Sequence, residues 1–159
     1  MWTNFFIAAA GASAALAGLV IVAMSVNINR ILQHPHLPSR AGATVGTLIL
    51  ILVSSMAALI PQNPRILGME IISFAAGCWY LEVSSARKAV AARVQWQRPR
   101  FESVLETALG QIQVLPFLIG GIALVEVWGG GLYWVASGVI TIFIASTLNA
   151  WVLLVEILR

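Results

Sequence analysis

The chain has little charge, and this scarcity already limits what it can be. Charged residues make up 9% of its 159 residues, and 60% of the residues are hydrophobic. Soluble domains typically carry about 25% charged residues. These values exclude a water-soluble globular domain, so we expect an integral membrane protein.

Cysteine and histidine are also scarce. The single cysteine, Cys78, excludes an internal disulfide. The two histidines flank a proline in His34-Pro35-His36. Imidazoles bind zinc well, but two ligands do not complete a site, and no Cys, Asp or third His lies nearby in the sequence. We therefore interpret these residues as a turn between helices and predict neither a metal nor a cofactor.

Motifs for nucleophilic or phosphate chemistry are missing. The sequence has no Gly-x-Ser-x-Gly and no His-Glu-x-x-His, and the glycines at 129–131 lack the Lys and Ser/Thr of a phosphate loop. No acid, base and nucleophile come together at the predicted membrane depth. We predict that the chain is not an enzyme, and an intramembrane enzyme is the least supported functional class.

Long apolar runs are what the chain does have. A helix needs about 20 apolar residues to cross a bilayer. Five runs meet this requirement, at about 5–26, 41–60, 66–83, 107–128 and 132–155. The first run continues past Ala12-Ser13-Ala14 and follows no basic residue, so we interpret it as a retained span and not as a cleaved signal. The predicted fold is an all-α transmembrane bundle of five helices.

The basic residues predict the orientation of this bundle. Eight of the nine fall on one side of the membrane in this threading, and only Arg65 falls on the other. Because basic loops stay in the cytoplasm, the N-terminus is predicted outside and the C-terminus inside. Aromatic residues agree, with Trp2, Trp128, Tyr133 and Trp134 at the outer boundary and Trp79, Tyr80 and Trp151 at the inner one.

The basic residues separate apolar runs and do not share one soluble face, so no nucleic acid partner is expected.

The connection at about 84–106 is the largest part predicted outside the bilayer. Valines and alanines at helical spacing extend the third helix towards Pro99, which predicts a cytoplasmic helical hairpin. The hairpin carries five basic residues: Arg87, Lys88, Arg93, Arg98 and Arg100. They would bind either anionic lipid head groups or a cytoplasmic partner protein.

Small residues form a stripe on the first helix at Gly11, Ala15 and Gly18. In lipid, small side chains permit close approach of helices, so the stripe predicts a packing seam within the subunit, with a pore lining as the alternative. Towards the inner end of the same helix, Ser25, Asn27 and Asn29 would form a polar vestibule.

Other polar residues within the predicted spans are candidates for a polar lining. Gln111 and Gln113 precede Pro116, whose ring bends a helix and frees a carbonyl group. Asn149 lies on a polar face of the fifth helix, together with Ser137 and Thr141, and this face would meet Gln113 across an interface.

The acids of the third helix, Glu70 and Glu82, lie near its two ends. In a symmetric oligomer lined by this helix they would form two carboxylate rings of a cation pathway. The alternative is local pairing, such as Glu70 with Arg65.

Several stretches also resemble a known family. They are residues 17–27, beginning Ala-Gly-Leu-Val-Ile-Val, residues 35–41, Pro-His-Leu-Pro-Ser-Arg-Ala, residues 131–134, Gly-Leu-Tyr-Trp, and residues 149–156, Asn-Ala-Trp-Val-Leu-Leu-Val-Glu. Over nearly the whole chain the sequence resembles a family of small bacterial membrane proteins of unassigned function. Some members carry an automatic label as modulators of a membrane-bound AAA protease. The resemblance implies a multi-pass protein of the bacterial inner membrane and a regulatory role, and it supplies no catalytic or binding residues.

Two functional hypotheses follow from these features. The first is a homo-oligomeric ion channel or small-solute pathway, based on the small-residue helix, the polar inner ends and the two glutamates. The second is a non-enzymatic accessory or regulatory subunit of a membrane protein complex, based on the basic hairpin. The expected partners are the lipid bilayer, further copies of the chain and, in the second hypothesis, another membrane protein.

Overall fold

The structure, a computed structural model, describes residues 2–26, 28, 37–96 and 100–158 of the chain, with side chains for 2–26, 28, 41–87 and 110–151. Within these ranges the protein consists of five helices and has no strand. They are α1 (Trp2–Val26), α2 (Leu37–Leu59), α3 (Pro64–Trp96), α4 (Arg100–Val125) and α5 (Gly131–Leu158). The all-α prediction is therefore confirmed for the described residues.

Four of these helices contain a segment long and apolar enough to cross a membrane. The segments are Trp2–Val26, Ala41–Leu59, Pro64–Arg87 and Gly131–Trp151. The apolar stretch of α4, Gly110–Val125, is shorter, as judged from the residues that the structure describes. The sequence predicts five spans, and the described residues contain four candidate spans and one shorter apolar helix.

Helix α3 is the longest element and contains 33 residues. At about 1.5 Å per residue it measures about 50 Å, whereas the hydrocarbon core of a bilayer is about 30 Å thick. Helix α3 therefore extends beyond any single crossing at its Trp96 end. Helix α4 begins four residues later at Arg100 and returns along it.

Consecutive helices pack side by side, and α5 returns to contact both α1 and α2. Each consecutive pair from α2 to α5 is antiparallel, because early residues of one helix meet late residues of the next. Gly46 lies near Leu81, Gly68 near Gly121, and Gly120 near Gly131. Three successive reversals make α2 and α5 antiparallel to each other.

The sequence Pro61-Gln62-Asn63 separates α2 from α3. The side chain of Asn63 accepts a hydrogen bond from the backbone N–H of Arg65 at 3.0 Å, and Pro64 occupies the first helical position. Asparagine is a preferred N-cap, and proline suits the first helical position because the N–H that it lacks would have no partner there. Local chemistry therefore fixes the start of α3.

Helix α4 ends in a Schellman motif. The N–H of Trp128 donates to the carbonyl of Ala123 at 2.8 Å, and the N–H of Val127 donates to the carbonyl of Leu124 at 3.3 Å. This motif requires a left-handed residue, usually glycine, just after the helix. Here that residue is Val127, with φ of 57°. A β-branched side chain is poorly suited to this conformation, so the turn is strained.

We expect Val127→Gly to increase the free energy of unfolding by about 1 kcal/mol, because glycine adopts the left-handed conformation without steric cost. Thermal unfolding of the purified protein in detergent micelles would measure the change. Gly130, with φ of 108°, provides the opposite control. Gly130→Ala should lower the melting temperature, and a Val127→Gly protein less stable than the parent would contradict the assignment of strain.

Helix α1 buries the face opposite to the predicted small-residue stripe. Its buried residues are Phe6, Ala9, Ser13 and Val20, which recur at helical spacing. At about 100° per residue, Ser13 lies about 200° around the helix from Gly11 and from Ala15. Among the described residues, the stripe therefore does not lie in a seam within the subunit.

Close helix packing occurs instead at glycines of α3, α4 and α5. A Cβ added at Gly68 would lie 2.6 Å from the carbonyl oxygen of Gly121, and one added at Gly120 would lie 2.8 Å from that of Gly131. The adjacent glycines 120 and 121 thus let α4 approach α5 on one side and α3 on the other. Small residues permit such contact in lipid, where van der Waals packing drives association.

Candidate functional site

The interior of the bundle contains polar side chains on four helices. Among the described residues, the buried polar side chains are Ser13, Thr44, Thr47, Ser54, Ser55, Gln113 and Ser146. Burial of a polar group is costly unless it forms a hydrogen bond. The partners of these groups therefore indicate which of them need an additional ligand.

Two of the buried hydroxyl groups bond to their own helix. Ser13 donates to the carbonyl of Ala10 at 3.0 Å, and Thr47 donates to that of Thr44 at 2.9 Å. Exposed hydroxyls elsewhere do the same, including Ser25, which donates to Ile21 at 2.9 Å. A helical Ser or Thr is commonly satisfied in this way.

Three buried serines differ from this pattern. The hydroxyl oxygens of Ser54, Ser55 and Ser146 have no hydrogen-bond partner within the described part of the chain. Ser54 and Ser55 are fully buried, and Ser146 is 2% exposed. An unsatisfied buried hydroxyl costs about 1–3 kcal/mol, so such groups in a native protein usually bind water or a ligand.

Helices α2 and α5 share a polar contact near one end of the bundle. The Asn149 amide nitrogen donates to the Thr44 hydroxyl oxygen at 3.4 Å, across 105 residues of sequence. Ser146 lies one turn from Asn149 on α5, and Thr47 lies one turn from Thr44 on α2. We call these four residues the polar seam: Thr44, Thr47, Ser146 and Asn149. The polar face of α5 that includes Asn149 was predicted to meet Gln113 of α4, and the structure shows the Asn149 amide bonded to Thr44 of α2.

A second polar group lies between α3 and α4 at the same end of the bundle. Glu82 is partly buried, and its Oε2 would lie 2.6 Å from a Cβ added at Gly110. Because Gly110 has no side chain, it leaves room for the carboxylate of Glu82. Nearby, the Trp79 indole nitrogen donates a hydrogen bond to the Gln111 side-chain oxygen. The predicted ring of Glu82 side chains in an oligomer stays a prediction, and within the subunit this carboxylate lies against α4.

Glu70 lies at the opposite end of α3. Its Oε2 accepts a hydrogen bond at 2.8 Å from the Gln62 amide, which also donates to the carbonyl of Ala57 at 3.1 Å. The predicted partner, Arg65, is exposed. The structure therefore pairs Glu70 with Gln62 and fixes the connection between α2 and α3.

The remaining predicted lining residues are dispersed. Ser25 is exposed, and Gln113 is buried within the bundle at 7% exposure. Asn27 and Asn29 lie outside the described residues, as do His34 and His36. Those of the predicted polar residues that the structure describes are thus not brought together in one site.

The predicted basic surface is only partly described. Arg87 is exposed near the end of the apolar part of α3. Arg98 and the side chains of Lys88, Arg93 and Arg100 lie outside the described part. Among described residues, no group of three His, Cys, Asp or Glu side chains is arranged to hold a metal ion.

The predicted packing stripe of α1 is open. No atom lies within 4 Å of a Cβ added at Gly11 or Gly18, and Ala15 between them is exposed. This surface is free of contact with the described residues of the same chain. Packing of the stripe against another chain stays a prediction.

Aromatic residues occur at both ends of the bundle. Trp128, Tyr133 and Trp134 are exposed at the end that contains Trp2, while Tyr80 and Trp151 are exposed at the other. The Trp2 and Tyr133 rings lie 4.7 Å apart in an edge-to-face arrangement and join α1 to α5. Exposed Trp and Tyr at two levels are typical of the two membrane interfaces.

Sequence reasoning missed three of the four residues of the polar seam. Thr44, Thr47, Ile51, Ser54 and Ala58 recur at helical spacing in an otherwise apolar run, so a polar face of α2 was detectable. The matching face of α5, with Ser146 and Asn149, follows the same spacing. Comparison of the chain with protein-family models, with curated proteins and with solved structures finds no match.

Proposed function

We propose that the chain is a homo-oligomeric protein of the bacterial inner membrane that provides a pathway for an ion or small solute. The observation that carries this proposal is the buried polar interior, in which three serine hydroxyls have no partner among the described residues. A protein that only packs in lipid gains nothing from such groups, because each unsatisfied polar group costs free energy.

The proposed topology has five crossings, with the N-terminus outside and the C-terminus in the cytoplasm. Support comes from the four candidate spans, from the apolar stretch of α4 and from the basic residues at one end. The extension of α3 and the first turns of α4 would then form the cytoplasmic hairpin. In this topology the polar seam lies towards the cytoplasmic side.

Self-association is supported by the open stripe of α1. Gly11, Ala15 and Gly18 are exposed, and a facing helix could approach them as closely as α3 approaches α4 at Gly68 and Gly121. Exposed apolar side chains on every helix contact lipid or a further subunit in this arrangement.

Flux measurements in liposomes test the pathway. Purified protein would be reconstituted and assayed for K⁺ release and for osmotic swelling in glycerol and urea, with empty liposomes as the control. We expect at least one of these fluxes to exceed that of empty liposomes. A folded, correctly inserted protein that conducts none of these probes, across pH and voltage, would overturn the proposed function.

The second candidate function is that of an accessory or regulatory subunit in a membrane protein complex. It is favoured by the same open face of α1, which would equally accept a helix of another protein, and by Arg87 at the exposed end of the α3 span. Mild crosslinking in native membranes distinguishes the two. A specific second protein, lost when Gly11 and Gly18 are both replaced by leucine, would favour the accessory function, whereas exclusive self-crosslinking would exclude it.

A further inference from the structure

We propose that the polar seam is the binding site for a small neutral hydrogen-bonding solute of the size of water, urea or glycerol, closed towards the opposite side of the membrane by an apolar layer. This inference rests on the proposed function. The inference adds to it the class of solute and the route of that solute within each subunit.

The antiparallel register of α2 and α5 defines the seam in layers. Since Thr44 contacts Asn149, a step of three residues along each helix places Thr47 opposite Ser146. A further step of four residues places Ile51 opposite Ile142, and three more place Ser54 opposite Val139. Every residue in these layers is buried except Asn149, which is partly buried. Along this interface two polar layers are therefore followed by an apolar layer and then by a mixed layer of Ser54 and Val139.

The hydroxyl of Ser146 supplies the evidence for a ligand. It is 2% exposed and has no hydrogen-bond partner among the described residues, although the register places it opposite Thr47 and one turn from Asn149. A hydroxyl offers one donor and two acceptor positions. A small molecule that can both donate and accept would satisfy it, as water does in many protein interiors.

The side chains of the seam favour a neutral ligand. Thr44, Thr47, Ser146 and Asn149 carry no charge, and the two described carboxylates of α3 are placed elsewhere. Glu70 bonds to Gln62, and Glu82 lies against Gly110 of α4. An ion in the seam would have no opposite charge from these residues to compensate its loss of hydration. The route is thus suited to neutral solutes.

The layer of Ile51 and Ile142 forms the barrier. Both side chains are fully buried and belong to the hydrophobic core. Narrow apolar layers exclude water and close a pathway without any charged gate. Beyond this layer, Ser54 and Ser55 provide the next hydroxyl groups on α2, again without partners among the described residues.

Thiol labelling tests the seam independently of transport. Cysteines would be introduced singly into a Cys78→Ala protein in liposomes and reacted with methyl methanethiosulfonate. Because only the hydrated thiolate reacts, Ser146→Cys should react about tenfold faster than Thr147→Cys, the adjacent exposed position on α5. Ile142→Cys, in the apolar layer, should react as slowly as Thr147→Cys. Equal rates at positions 146 and 147 would overturn the seam.

Transport by gate variants tests the solute class. Ile51→Ala should raise glycerol permeability about tenfold without raising K⁺ flux, since it widens the apolar layer. Ile49→Ala, on the exposed face of the same helix, is the matched control and should behave as the parent. If the parent conducts K⁺ or glycerol and both variants equal it, the inference is wrong while the proposed pathway stands. If no probe crosses with any folded variant, the proposed function itself fails. If Ile51→Ala does not fold, the labelling rate of Ser146→Cys tests the inference.

Discussion

Replacing Phe117 by alanine is expected to cost about 3–5 kcal/mol of folding free energy, the largest loss that we predict for a single substitution. The side chain of Phe117 on α4 is fully buried, and its ring lies against Gly138 of α5. Removal of the ring leaves a cavity that two closely packed helices cannot fill by small shifts. Reversible unfolding in mixed micelles, followed by tryptophan fluorescence, would measure the loss.

Phe74→Ala provides the matched control. Phe74 is 36% exposed on α3, so lipid or detergent replaces much of its contact, and we expect a loss of about 1 kcal/mol. A double-mutant cycle between positions 117 and 138 adds a second check, because a Cβ at Gly138 would lie 2.6 Å from the Phe117 ring. Gly138→Ala should therefore be less harmful when Phe117 is leucine. Equal losses for Phe117→Ala and Phe74→Ala would contradict the packing.

Gly68→Ala is expected to destabilise the protein by about 1–3 kcal/mol, because the added methyl group has no space to occupy. Its Cβ would lie 2.6 Å from the backbone oxygen of Gly121 and 2.9 Å from the backbone nitrogen of Val125. Backbone atoms cannot rotate away as the end of a side chain can, so α3 and α4 must separate. The same unfolding measurement would report the change.

Gly77 provides the control for this substitution. It lies on the same helix, and a Cβ added there meets no atom within 4 Å. Gly77→Ala should stabilise the protein by about 0.5–1 kcal/mol through the better helix propensity of alanine. The two alanine substitutions should thus differ in sign, and a loss of similar size at both positions would indicate that helix approach at Gly68 is not tight.

The helices themselves were largely predictable from the sequence. Apolar runs of membrane length, broken by Pro61-Gln62-Asn63 and by the glycines at 129–131, place the breaks between helices within a few residues. The break at Asn63 and Pro64 has local causes, a side-chain cap and a fixed φ, and such causes are visible in a single sequence.

The rotation of each helix was not predictable in the same way. In a soluble protein the polar face of a helix indicates the direction of solvent, but lipid is as apolar as the protein core. Leu19 and Val22 of α1 are exposed, while Phe6 and Val20 are buried, and their side chains do not distinguish the two environments. The stripe at Gly11, Ala15 and Gly18 predicts a packing seam within the subunit because small residues permit close approach, yet these residues are exposed in the structure.

The residues of the candidate site were also only partly predictable from the sequence. Asn149 was singled out as a polar residue within the last apolar run, and in the structure it belongs to the polar seam. Thr44, Thr47 and Ser146 were overlooked, because a helical hydroxyl is usually satisfied by its own backbone and so carries little information. The structure identifies Ser146 as an exception, because its buried hydroxyl has no partner among the described residues.

The return of α5 to α1 and α2 determines when the polar seam can assemble. Contacts between consecutive helices join neighbouring parts of the chain, whereas the contact of Thr44 with Asn149 joins residues 105 positions apart. At a synthesis rate of about 5–20 residues per second, the partners of Thr44 on α5 emerge several seconds after it. Until then the face of α2 that carries Thr44 has not met α5. A chain terminated before α5 would therefore lack the hydrogen bond from Asn149 to Thr44 and every other contact of the polar seam with α5.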